Sequence, residues 1–346
     1  MDPITLNAVQ GAAGAGGGPY VGDLILASNT TPFIIAYPWD SGFGTKYANP
    51  STLPTNVARG VDVSPDGANV AVAHYGSPWV SVYPWSSGFG TKYTDPSTPV
   101  MPGSTSYAYG VAFSPDGADI AVAHENSPWV TVYPWSSGFG TKYADPSTLP
   151  PNNGMAVAFS PDGADIAVVT YSSPYVTVYP WSSGFGTKYA NPASLPGQNS
   201  FGVAFSPDGA DIVVTQDISP WLAAYPWSSG FGTKYADPSS PPSNTSNAVA
   251  FSPDGADLAV AHNTSPYISV YSWSSGFGTK YTNPSTNPTG GGQNVAFSPD
   301  GADIAVAHQT SPFVSVYPWD SGCGTKYANP STLPPGIGNA VAFSPA

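Results

Sequence analysis

From Gly110 to Pro150 the chain is a succession of short apolar runs separated by polar breaks. Val111-Ala112-Phe113 favours a strand and is stopped by Pro115 and the Asp116-Gly117 turn. Ile120-Ala121-Val122-Ala123 alternates large and small residues and stops at Asn126-Ser127-Pro128. Val130-Thr131-Val132-Tyr133 alternates again and ends at Pro134-Trp135. Gly140-Thr141-Lys142-Tyr143, bounded by Gly138 and Pro146, reads as a weak outer edge strand. No window carries a 3.6-residue apolar period, so the pattern predicts strands and no helix.

The same pattern recurs along the chain. Ser-Gly-Phe-Gly-Thr-Lys-Tyr begins at Ser41, Ser87, Ser137, Ser183, Ser229 and Ser275, and a copy with Cys323 in place of phenylalanine begins at Ser321. Ser-Pro-Asp-Gly begins at Ser64, Ser114, Ser160, Ser206, Ser252 and Ser298. The spacing is 46 residues, apart from one step of 50 that carries an insertion between Pro96 and Val111. Four short strands per unit, seven times over, predict an all-β, seven-bladed β-propeller of four-stranded antiparallel blades spanning 22–346. Residues 1–21 read as a flexible Gly/Ala-rich arm. The first unit opens at its second strand, Leu24-Ile25-Leu26-Ala27, and the last ends on a lone first strand, Asn339–Ser344. These fragments complement one another, so the C-terminal strand is expected to complete the N-terminal blade and close the ring.

The Phe-Ser-Pro-Asp-Gly turn, followed by a strand ending in Tyr-Pro-Trp, resembles WD-repeat and YVTN-type propellers. Trp39-Asp40 and Trp319-Asp320 supply two literal Trp-Asp pairs. The Gly-His dipeptide of true WD repeats is missing, so their side-chain network is not carried over. The tail of each unit is also similar to repeats in bacteriophage and bacterial proteins. That resemblance implies a virion-associated tail or capsid accessory protein with a host-surface or glycan-recognition role. The alternatives are a free-standing lectin-like or protein-interaction propeller of a bacterium, extracellular or cytoplasmic, and a lactonase-like propeller enzyme. Lactonase-type propellers place a metal in the central channel, held by acids and amides.

Composition changes the picture in three places. The 40 prolines and 38 glycines are mostly turn positions counted once per unit rather than a sign of disorder. The net charge of −13 argues against nucleic acid, and no apolar run is long enough to span a bilayer. Twenty of the 21 acids are aspartates in register with the turns, where they cap them. The N-terminus lacks the basic and apolar regions of a secretory signal, and the lone Cys323 excludes an intrachain disulfide framework.

Candidate binding residues are sought where the units differ, on the face shared by the second-to-third-strand turns and the interblade loops. Those turns carry Tyr75, Glu125, Tyr171 and Asp217; the loops, ending at 59, 109, 155, 201, 247, 294 and 339, carry Arg59, Tyr107 and Tyr109. A second candidate is the aromatic column Phe33, Trp79, Trp129, Tyr175, Trp221, Tyr267 and Phe313, which offers either sugar-stacking platforms or interblade packing. His74, His124, His262 and His308 share a column with Ser28, Thr170 and Gln216, which fits hydrogen bonding at a strand end. Neighbouring second strands stand roughly 10 Å apart, too far to share a zinc ion. No metal and no cofactor are expected. The channel-facing strands offer mainly Gly, Ala, Val and Phe, with Asp62 the exception, so no catalysis is expected either.

Overall fold

The proline of Tyr-Pro-Trp decides how each sheet ends. In the computed structural model, which describes residues 21–98, 100 and 106–345, the repeat forms seven separate antiparallel sheets. In the unit read above, the strands are Ala108–Phe113, Asp119–His124 and Val130–Pro134. The expected fourth strand is absent from six sheets, where only isolated bridges such as Trp135↔Phe139 form. The exception is the sheet of Ser246–Phe251, Asp257–His262 and Ile268–Trp273, which gains Phe277–Lys280. Here Ser272 stands where the other units have proline, and its Oγ accepts the Thr279 N–H at 3.0 Å. Elsewhere the proline ring has no N–H to offer a ladder, and it lies 3.0 Å from a Cβ built on Gly140 in the third unit. The four-stranded expectation is therefore corrected to three strands with a bridged tail.

Sheets are numbered here in chain order. Sheet 1 holds Val21–Ser28 and Ile34–Asp40, and its third member is the C-terminal Gly338–Phe343. That strand pairs antiparallel with the first, Leu24 opposite Phe343 and Leu26 opposite Val341. The first strands of sheets 2 to 7 are Ala58–Val63, Ala108–Phe113, Gly154–Phe159, Ser200–Phe205, Ser246–Phe251 and Gly292–Phe297. Each touches the first strand of the next sheet, and Gly338–Phe343 touches both Gly292–Phe297 and Ala58–Val63. The expected arm, save Val21, lies outside the described residues, as does part of the long insertion.

The core lies between neighbouring sheets. Ala121 and Ala123 of sheet 3 meet Ile166 and Val168 of sheet 4, small against large. The tryptophans close each layer edge-on, as Trp135 does against Phe139 at 5.1 Å and Tyr93 at 5.1 Å. Among the described residues, no helix is long and apolar enough to cross a membrane.

Candidate functional site

In every sheet the first strand carries a bulge near its start. Ala58 pairs with His74 and Gly60 with Ala73, which leaves Arg59 outside the ladder. Tyr109, Met155, Asn247, Gln293 and Asn339 are skipped in the same way in their own sheets, and in sheet 5 the irregularity covers Phe201 and Gly202. A bulge bends its strand and re-aims the extra side chain. The first strands crowd together just beyond it: a Cβ on Gly60 would lie 2.8 Å from the Tyr109 carbonyl oxygen. The side chains of the seven bulges thus form one rim around the round of first strands, and all but the two asparagines differ in type.

The second-to-third-strand turns dock on the same rim. The Tyr75 N–H donates to Val57 O at 2.9 Å, Glu125 N–H to Tyr107 O at 2.9 Å, and Asp217 N–H to Asn199 O at 3.1 Å. Arg59 thereby lies over the Tyr75 ring, its Cζ 5.4 Å from the centroid, and its Nη1 donates to Asn339 Oδ1 at 3.3 Å. Tyr75 stacks on Tyr107 at 4.0 Å and meets Tyr109 edge-on at 6.2 Å. Tyr171 meets Phe201 edge-on at 5.6 Å. Asn199 Nδ2 donates to Asp217 Oδ2 at 2.7 Å, and Asn247 Nδ2 to Asn263 Oδ1 at 2.7 Å.

Burial raises the Tyr75, Tyr109 and Tyr171 phenols; Arg59 opposes that rise at all three, while Glu125 adds to it at Tyr75 and Tyr109. Among the described residues no carboxylate pairs with Arg59. Glu125 Oε2 and Asp217 Oδ1 are hidden from solvent, again without a partner among the described residues. The structure therefore brings Arg59, Tyr75, Tyr107, Tyr109 and Glu125 into one cluster, with Tyr171 and Asp217 beside it. Met155, Phe201, Asn247, Gln293 and Asn339 were not singled out from sequence. Their signal was present, because the variable loops end at or beside these positions.

The aromatic column opens the third strands just beyond these turns, the Trp79 N–H donating to Gly76 O at 2.8 Å. Trp79 is buried and donates its indole N–H to Ser106 O at 3.0 Å, and Phe33 packs on a core layer. Trp129, Tyr175, Trp221, Tyr267 and Phe313 are half-buried, and among the described residues no ring contact joins the column to the tyrosine cluster. Each buried histidine sets its Nε2 against a hydroxyl of the third strand, as His124 does with Thr131 at 2.9 Å. Burial pushes the His74, His262 and His308 imidazoles down to about 4 and His124 to about 3. The Cys323 thiol is pushed up to about 12 by burial, which removes it as a nucleophile at neutral pH.

Asp62 projects from the first strand of sheet 2, where the other units have alanine. Its Oδ2 accepts the Phe113 N–H of sheet 3 at 2.7 Å and its Oδ1 the Val63 N–H at 2.9 Å. Burial outweighs these bonds and pushes the carboxyl up to about 7. Among the described residues no three His, Cys, Asp or Glu side chains come together. With both oxygens committed to backbone, Asp62 is not placed to hold a channel metal.

The architecture is that of a β-propeller, and nothing in it marks the WD or YVTN type specifically. A protein from Bacteroides uniformis named as a 6-phosphogluconolactonase superposes with a TM-score of 0.71 at 16% identity, covering 93% of this chain and 99% of that one. The periplasmic gluconolactonase of Pseudomonas aeruginosa superposes with a TM-score of 0.68 at 17% identity, covering 94% and 99%. A second Bacteroides protein of the first kind, from Bacteroides fragilis, gives 0.70 at 15% identity and covers 99% of each chain. No protein family and no curated protein matches the chain by sequence.

These likenesses overturn the expectation of a non-enzymatic bacteriophage virion protein. The propellers just named carry lactonase names and no virion name. The expectation failed because it rested on the tails of the repeat, which are framework. The judgement against catalysis rested on the framework residues of the first strands and passed over the bulges.

Proposed function

We propose that the seven sheets are the blades of a closed seven-bladed propeller, and that the mouth of its channel hydrolyses a small lactone. The observation that carries this reading is the convergence of the chain's one arginine and one glutamate, Arg59 and Glu125, on a single tyrosine cluster. A lactone is an uncharged cyclic ester. Its carbonyl oxygen gains negative charge when water adds, and Arg59 is placed to hold that charge in a partly desolvated site. Glu125 Oε2 accepts the proton of the attacking water. The ring C–O bond then breaks, the departing oxygen takes a proton, and the product is a hydroxy acid. Asn247 Oδ1 is left to accept from a substrate hydroxyl, whereas buried Asn339 is committed to Ala58 O and to Arg59, which it orients. No step runs through a metal ion.

Proton release in a pH-stat, with δ-gluconolactone and 6-phosphogluconolactone as substrates, tests the reading against the spontaneous rate. Arg59→Met and Glu125→Gln are each expected to lower kcat/KM by about a hundredfold or more. A wild-type protein that adds nothing to the spontaneous rate of these two lactones, nor to that of δ-valerolactone or δ-decalactone, overturns it.

A further inference from the structure

The bulge residues are sorted around the rim. Sheets 3, 4 and 5, which follow one another by contact of their first strands, carry Tyr109, Met155 and Phe201. Sheets 6, 7, 1 and 2 carry Asn247, Gln293, Asn339 and Arg59. One side of the rim is thus apolar and aromatic, and the other consists of amides and a guanidinium. The turn residues divide less cleanly: Glu125 and Asp217 stand on sheets 3 and 5 and Tyr75 on sheet 2, while Tyr171 extends the apolar side by its edge contact with Phe201. Asn263 extends the polar side by accepting from Asn247. Phe201, Met155 and Tyr109 are all half-buried, as several framework residues of the first strands are, and Met155 also packs on the core layer between sheets 4 and 5. Half-exposed apolar groups gathered beside a channel mouth are a surface that a ligand covers.

The charge at the rim points the same way. Arg59 is its only cation among the described residues, and it shares the rim with two carboxylates, Glu125 and Asp217. Six of the seven lysines are engaged elsewhere: Lys92, Lys142 and Lys234 pair with aspartates three residues on, and Lys46, Lys188 and Lys326 donate to asparagines at the same spacing. Lys280 ends the outer strand Phe277–Lys280. A phosphate dianion finds no second positive group here.

We infer that this rim selects a neutral lactone bearing an apolar substituent and discriminates against a phosphorylated one, resting on the lactone-hydrolase reading above. The ester ring sits at the border of sheets 2 and 3, between Arg59 and Glu125, and the side carrying Met155 and Phe201 covers the substituent.

The test compares δ-valerolactone, δ-decalactone and 6-phosphogluconolactone in the pH-stat. The alkyl-bearing lactone is expected to exceed its unsubstituted parent in kcat/KM by roughly tenfold or more, with the phosphorylated lactone poorest. Phe201→Ser and, separately, Met155→Ser are expected to bring the decalactone-to-valerolactone ratio towards one. A ratio near one in the wild type, or a preference for the phosphorylated lactone, overturns the inference while leaving lactone hydrolysis standing. If no lactone is turned over, the hydrolase reading fails, and titration calorimetry with δ-decalactone judges the rim by itself. Binding that Phe201→Ser abolishes supports the sorted rim; no binding by the wild type overturns it.

Discussion

Trp39 donates its indole N–H to Asp303 at 2.9 Å, across 264 residues of chain. The bond joins sheet 1 to sheet 7, and five further junctions repeat it: Trp85 with Asp23, Trp181 with Asp119, Trp227 with Asp165, Trp273 with Asp211, and Trp319 with Asp257. In several sheets the second carboxylate oxygen takes the tyrosine hydroxyl of its own tail, as Asp23 does from Tyr47 at 2.7 Å. One aspartate thus binds its own sheet and the next, which explains why the acid recurs in register. It opens the second strand, and the turn-capping aspartates are a separate set that accept from serine, as Asp116 does from Ser114 at 2.6 Å.

Asp211→Asn tests this tie. Asp211 takes Trp273 Nε1 at 2.8 Å and Tyr235 Oη at 2.7 Å, and an amide has only one acceptor oxygen for the two donors. Leaving one buried donor without a partner should cost about 1–3 kcal/mol in urea denaturation. An unchanged midpoint would show that the bond contributes nothing net.

Two departures from the repeat are expected to be repairable. At the junction of sheets 2 and 3 the aspartate is replaced by Asn69, whose Oδ1 is buried without a partner among the described residues, as is Trp135 Nε1. Asn69→Asp should restore the tie and raise the thermal midpoint, with a gain of about 1 kcal/mol. In sheet 7, Cys323 occupies the turn position where Phe43 meets Trp39 at 5.0 Å in sheet 1. Cys323→Phe should likewise stabilise, by about 1 kcal/mol, through the missing edge-on contact with Trp319. A fall in midpoint in either variant would contradict the equivalence of the units.

The histidines and Asp62 act in opposite directions with pH. Burial holds His74, His262 and His308 at about 4 and His124 at about 3, below the ordinary 6.5. Above pH 6.5 both folded and unfolded chains carry them neutral; below it the unfolded chain binds protons that the folded chain refuses, so stability falls on acidification to about pH 4. Asp62, raised to about 7, binds its proton in the folded chain first, so its contribution improves as pH falls from 7 towards 4. His124→Gln, which uses the residue present at Gln216, should flatten the dependence of the urea midpoint on pH between 6.5 and 4. Asp62→Asn should steepen it, and parallel profiles for both variants would refute the assignment.

Removing residues 339–346 takes away the strand that pairs with Leu24 and Leu26, both fully buried. It also removes the Ser344 hydroxyl that accepts the Asp23 N–H at 3.0 Å. The truncated protein is expected to lose its single cooperative unfolding transition in calorimetry. A wild-type transition in its place would mean that the terminal strand is dispensable.

Much of the framework was legible because its signals are local and repeated. Val111–Phe113, Ile120–Ala123 and Val130–Tyr133 each lie inside an observed strand, bounded by the turns that predicted them. The fourth run was misread, although Pro134 was in view: a proline facing the outer run removes the N–H its ladder needs. At the site, Arg59, Tyr75, Tyr107, Tyr109 and Glu125 were found by their departure from the repeat, and the structure gathers them. The aromatic column was equally conspicuous in sequence; among the described residues its rings make no contact with that cluster, and Trp79 borders it through Ser106 O.

By itself the sequence determined the first three strands of each unit and their order, the turns between them and the pairing of the two chain ends. Those follow from turn chemistry and from alternation within a few residues, repeated until chance is excluded. Only the tertiary structure decided that Arg59 stands beside Asn339, 280 residues away, and that Tyr109, Met155 and Phe201 fall on one side of a rim. Those neighbourhoods arise because each first strand bulges where it meets the next sheet, a contact between units that no single unit encodes.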